Sequence, residues 1–153
     1  MRVPYMVGVA RRPQPALGGS LTRPRPMMPV RFSQPGGSVM RTSVLDTGAD
    51  DTVLPDWIAT ALGLDLTGAE ERAVGLAGRA PLRCRYAPVE IQISDGIRET
   101  YRWTAVVGFI DGMAHPRPLL GHAGFLQYFD AEFRGADLEV LLAPNKSFHG
   151  VRT

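Results

Sequence analysis

Lysine is almost missing from this chain of 153 residues, since of its 17 basic residues only Lys146 is a lysine. That excludes a lysine-centred nucleophile and the lysine of a phosphate-binding loop from any core mechanism. Cysteine is equally scarce. Cys84 has no partner for an internal disulfide, which suits a reducing compartment, and the absence of Cys/His pairs at ligand spacing removes any zinc signal. No run of about 18 apolar residues offers a membrane helix, and YMVGVA near the start is too short for a signal peptide's apolar region. The expectation is a soluble, cytoplasmic protein with no membrane partner. A large excess of one charge is also lacking. With a net charge of +2, the pI near 9.0 carries little argument for a nucleic-acid partner, and none is expected.

What is present suits one globular domain: 44% hydrophobic and 21% charged residues, enough for a single core. Residues 10–29, ARRPQPALGGSLTRPRPMMP, are rich in Pro, Arg and Gly without an apolar period. They predict a flexible N-terminal extension over residues 1–29, ahead of a domain over 30–144 and a C-terminal tail over 145–153. From Val30 a hairpin around Gln34-Pro35-Gly36-Gly37 sends SVMRTSVL into an acidic loop. LPDWIATALGL then predicts a short helix, with Pro55 near its start and Gly63 near its cap. ERAVGLAGRAPLRCRYAPVEIQI reads as a long hairpin with Gly75 and Gly78 at its tip, and TYRWTAVVGF as a further strand. HAGFLQYF predicts a second short helix, before strands FDAEF and LEVLLA. The fold class is therefore all-β, with roughly eight strands and one or two short helices.

The chemistry concentrates in residues 44–55, VLDTGADDTVLP, where Asp46, Asp50 and Asp51 lie close together. Asp46 ends an apolar strand and precedes Thr47-Gly48, so a carboxylate is held at the edge of buried structure beside a residue that lets another backbone approach. A lone carboxylate cannot both activate water and protonate a leaving group, because those tasks need opposite protonation states. No second Asp-Thr-Gly or Asp-Ser-Gly occurs, so the partner must come from elsewhere. A magnesium site at the three aspartates is the weaker account, because the alternating ligands of calcium loops and any matched Asn, Glu or His are missing. Cys84 with His122 could suggest a thiol nucleophile, yet a lone Cys within RCRY reads better as a strand residue.

The sequence resembles the retropepsin-like aspartic proteases of retroviruses, retroelements and bacteria. LDTGADDTVLP is close to their active-site loop, GLAG stands where their flap does, and PLLGHAGFL is similar to their apolar-apolar-Gly segment followed by a helix. The resemblance implies a half-barrel with a flap hairpin and an aspartic endopeptidase acting on peptide or protein substrates. It implies a homodimer in which Asp46 of each copy forms the catalytic pair, with no metal and no organic cofactor. Thr47 and Gly48 would support that pair. Ala49, Asp50, Asp51, Val74, Gly75, Leu76, Ala77 and Gly78 would bind substrate, and Leu119, Leu120, Gly121 and His122 would brace the loop from behind. At His122 many members carry an Arg that pairs with the carboxylate matching Asp50, so the resemblance implies either a weaker, titrating contact in its place or a histidine packed neutral beneath the loop. The alternative is a non-catalytic binding or dimerisation module of the same fold, whose N-terminal arginines recruit an acidic partner or nucleic acid.

Overall fold

The computed structural model describes residues 1–75, 81–112 and 117–153. In chain order the strands are β1 (Arg2–Pro4), β2 (Met6–Gln14), β3 (Ser20–Arg25), β4 (Met27–Gln34), β5 (Gly37–Leu45) and β6 (Val53–Pro55). The helix α1 (Asp56–Ala61) follows, then β7 (Glu71–Val74), β8 (Leu82–Ser94), β9 (Thr100–Ile110), β10 (Leu119–Leu120), β11 (Phe129–Arg134), β12 (Glu139–Pro144) and β13 (Val151–Arg152). The largest sheet runs β13-β9-β6-β10-β5-β4-β8-β7, and a further pairing of β9 with β8 closes six of its strands into a barrel. A closed ring leaves those six without free edges.

Local chemistry explains the corners. The turn between β4 and β5 packs on the end of α1, where a Cβ on Gly36 or Gly37 would lie 2.8 Å from the Leu62 carbonyl oxygen or 2.6 Å from that of Ala61. Only glycine allows that approach. Gly63, at φ 68°, then ends the helix in the left-handed conformation. The helix buries Ile58, Ala59 and Leu62, while Trp57 stays outside with the Arg41 guanidinium 4.7 Å over its ring. The second expected helix is shorter than its apolar spacing suggests: only a 3-10 turn forms over Leu126–Tyr128.

The core fills the barrel with Val30, Phe32, Val89, Ile91 and Val107 and extends into an aromatic cluster. There Trp103 meets Phe125, Phe129 and Phe148 edge-on, at centroid distances of 5.5, 5.3 and 5.9 Å. Such pairs contribute about 0.5–1.5 kcal/mol each beyond area burial.

The N-terminal segment differs from the expectation of a flexible extension. Val3 of β1 is 5% exposed and pairs with Val140 of β12, and the Met1 amino group sits 2.7 Å from Glu99. β2 and β3 form a separate two-stranded hairpin. Its prolines are tolerated because each strand has an outer edge where no ladder N–H is needed. At the other end Phe148 joins the aromatic cluster and β13 pairs with β9, so residues 145–153 are packed as well. Among the described residues no helix is long and apolar enough to cross a membrane.

Candidate active site

β5 delivers Asp46, and β10 lies beside it in parallel, with Leu119 opposite Val44 and Leu120 opposite Leu45. β10 is also antiparallel to β6, so it threads between the two arms of the acidic loop. Backbone bonds lock the crossing: the Asp46 N–H donates to Leu120 O at 3.1 Å and the Val44 N–H to Pro118 O at 2.9 Å. Gly121 follows at the tightest point. A Cβ there would overlap the Asp51 carbonyl oxygen and lie 2.7 Å from that of Ala49.

Within the loop, the Gly48 N–H donates to Asp46 Oδ1 at 3.0 Å, fixing one carboxylate oxygen. Asp46 is half-buried, while Thr47, Gly48 and Asp50 are exposed. Asp51 is turned inward, where the Tyr86 hydroxyl of β8 donates to its Oδ2 at 2.7 Å. Burial first, and the Asp51 carboxylate second, push the Tyr86 phenol far above its ordinary value, so it stays a donor. Thr52 is fully buried; its Oγ1 accepts the Gly121 N–H at 3.2 Å and its carbonyl the Gly108 N–H at 3.0 Å.

These residues open on a cleft of about 540 Å³ that brings Asp46, Gly48, Ala49, Asp50 and Asp51 together with Val74, Gly75 and Leu119. Val74 ends β7, so the β7 arm of the β7–β8 hairpin forms part of the cleft wall beside the carboxylates. Leu76, Ala77 and Gly78 lie outside the described residues. Leu120 and Gly121 sit behind the loop, both buried. Sequence reasoning missed Tyr86 and Thr52, and also Val53, Ala73 and Ile110 of the cleft wall. A tyrosine inside the apolar strand RCRYAPVEIQI, whose hydroxyl needs a partner when buried, is the signal that could have found Tyr86.

The His122 ring is exposed, and among the described residues no hydrogen bond or ion pair joins it to the Asp50 carboxylate. The backbone braces the loop instead: the His122 N–H donates to Ala49 O at 2.9 Å, the Ala123 N–H to Asp50 O at 2.8 Å, and the Thr52 N–H to Ala123 O at 2.8 Å. Cys84 is buried in β8 against Gly108, and burial raises its thiol, which disfavours the thiolate a nucleophile needs.

The fold is shared with retropepsin-like aspartic protease domains. The crystal structure of a retropepsin-like aspartic protease from Rickettsia conorii matches 100% of this chain and 96% of its own, with a TM-score of 0.52 at 15% identity. The retroviral protease-like domain of Ddi1 from Leishmania major matches 80% of this chain and 97% of its own, with a TM-score of 0.51 at 13% identity. No family model and no curated protein matches the sequence.

Proposed function

We propose that the chain is an aspartic endopeptidase that works as a homodimer, hydrolysing peptide bonds with water held between two Asp46 carboxylates. The observation that carries this reading is that Asp46 lines an open cleft together with Asp50 and Asp51, in a chain with one such loop. Two carboxylates brought within about 3 Å share a single proton, so one is a base and the other an acid. The ionised carboxylate takes a proton from water as its oxygen attacks the peptide carbon, and the protonated one donates to the carbonyl oxygen. The tetrahedral intermediate then breaks its C–N bond, and the leaving nitrogen takes a proton from the dyad. Exposed Thr47 is free to hold the corresponding loop of a second copy. Ala49, Asp50 and Asp51 flank the substrate backbone, and the β7–β8 hairpin serves as a flap that excludes water.

The test is cleavage of a peptide library by wild type and Asp46→Asn, with sedimentation run alongside. Asp46→Asn should abolish cleavage and keep the thermal transition, and the active species should be a dimer with a bell-shaped pH profile centred below neutrality. Cleavage by a species that sediments as a monomer sinks the reading.

A further inference from the structure

Charge is divided unevenly along the chain. Residues 1–45 hold seven arginines and no Asp or Glu, a charge of +7; with +2 for the whole chain, the remainder carries −5. Three of the seven are engaged locally: Arg2 with Glu139, Arg31 with the Ser38 hydroxyl and Arg41 with the Trp57 ring. The other four, Arg11, Arg12, Arg23 and Arg25, lie on the β2–β3 hairpin, and no ion pair joins them to any described residue.

These four converge with Arg117 on an open cleft of about 480 Å³ whose described lining residues include no carboxylate and no aromatic ring. The hairpin register builds it. Met6 faces Arg25 and Gly8 faces Arg23, and directly opposed residues of an antiparallel pair share a face. Arg23 and Arg25 therefore project together, with Gly8 leaving the space between them open. The four hairpin guanidinium groups, gathered with no ion pair to a described residue, repel one another, and an anion relieves that repulsion; carboxylates fit their planar forks bidentately.

The position of the cleft names the anion. Arg117 lies two residues before Leu119, which lines the catalytic cleft, a distance of about 7 Å along extended chain. Met27, in the floor of the arginine cleft, pairs with Val44, two residues before Asp46. One extended ligand can therefore run through both. Nucleic acid is disfavoured because the described lining residues offer no ring on which bases could stack.

We propose that the arginine-lined cleft is a docking subsite for an acidic peptide segment, selecting substrates that carry Asp or Glu several residues from the scissile bond. The proposal rests on the peptidase reading for its role and on the hairpin alone for its chemistry, so the test separates the two. Fluorescence anisotropy on Asp46→Asn protein measures binding of a labelled Glu-rich peptide, its Gln counterpart and a single-stranded oligonucleotide. The Glu peptide should bind about tenfold more tightly than the Gln peptide, and added salt should erase the difference. The triple variant Arg11→Gln/Arg12→Gln/Arg23→Gln should lose about tenfold or more, since each exposed pair is worth up to a factor of about five. Arg31→Gln should lose nothing, and matched thermal melts show that the triple variant is folded. Equal binding of the two peptides, indifference to the triple variant, or preference for the oligonucleotide overturns the proposal. If wild type cleaves no peptide while arginine-dependent binding persists, the peptidase reading fails and the acidic subsite stands.

Discussion

Replacing Gly121 by alanine probes how the acidic loop is held. The new Cβ would overlap the Asp51 carbonyl oxygen and sit 2.7 Å from that of Ala49. Both are backbone atoms, so no side-chain rotation relieves the clash, and the acidic loop must move away from β10. Overpacking against movable side chains typically costs 1–3 kcal/mol. Displacing the loop also strains the His122-to-Ala49 and Gly121-to-Thr52 bonds, at about 1 kcal/mol each. The sum is about 3–5 kcal/mol, or a Tm lowered by roughly 6–20 °C for a chain of this size. Gly135→Ala is the control, because a Cβ there meets nothing within 4 Å. It should be neutral or stabilising by up to about 1 kcal/mol, through the unfolded chain. Urea titrations with unchanged slope measure both variants. A Gly121→Ala protein within about 1 kcal/mol of wild type would refute the tight-crossing argument.

Tyr86→Phe removes the donor to Asp51 and should cost about 1.5–3 kcal/mol, the range for a bond to a charged group. Because the phenol's folded value is raised above its ordinary 10.0, this contribution is complete below that pH and fades only above it. The gap between wild type and variant should therefore stay constant from about pH 6 to about pH 9, and a gap that closes in that window contradicts the assignment. Removing residues 1–5 exposes the pocket filled by Val3 and should cost more than about 2 kcal/mol in denaturant melts. Replacing residues 8–23 by an Asn-Gly turn between opposed Val7 and Pro24 should cost less than about 1 kcal/mol, because the hairpin pairs only with itself. Asp95 Oδ1 accepts the N–H groups of Glu99, Arg98 and Ile97, which hold its carboxyl at about 2. With the folded value depressed, that stabilisation is fully present above the ordinary 3.8 and is lost as pH falls through about 2. Asp95→Ala should accordingly differ from wild type by a constant amount above about pH 5, with the difference shrinking in acid.

The features that were legible in the sequence are those whose chemistry is local. Asp46-Thr47-Gly48 marks a tight acidic turn because the carboxylate, the hydroxyl and the missing side chain fall within one loop. Features set by distant pairing were not legible. Val3 stands between Arg2 and Pro4, with no apolar period around it, and becomes core only because β12 comes to lie alongside. Phe148 likewise sits alone in NKSFHG, and its burial follows from Tyr101 and Trp103 reaching it across the fold. His122 is a third case. A histidine in place of arginine leaves open in the sequence whether its ring meets Asp50 or packs beneath the loop. The structure supplies the brace from main-chain N–H groups at 122 and 123, which any residue other than proline would provide. The residue type at 122 is thereby released from holding the loop, whereas Gly121, one position earlier, is constrained by backbone on two sides. Side-chain chemistry was the wrong place to look for support in a crossing where the main chains meet this closely.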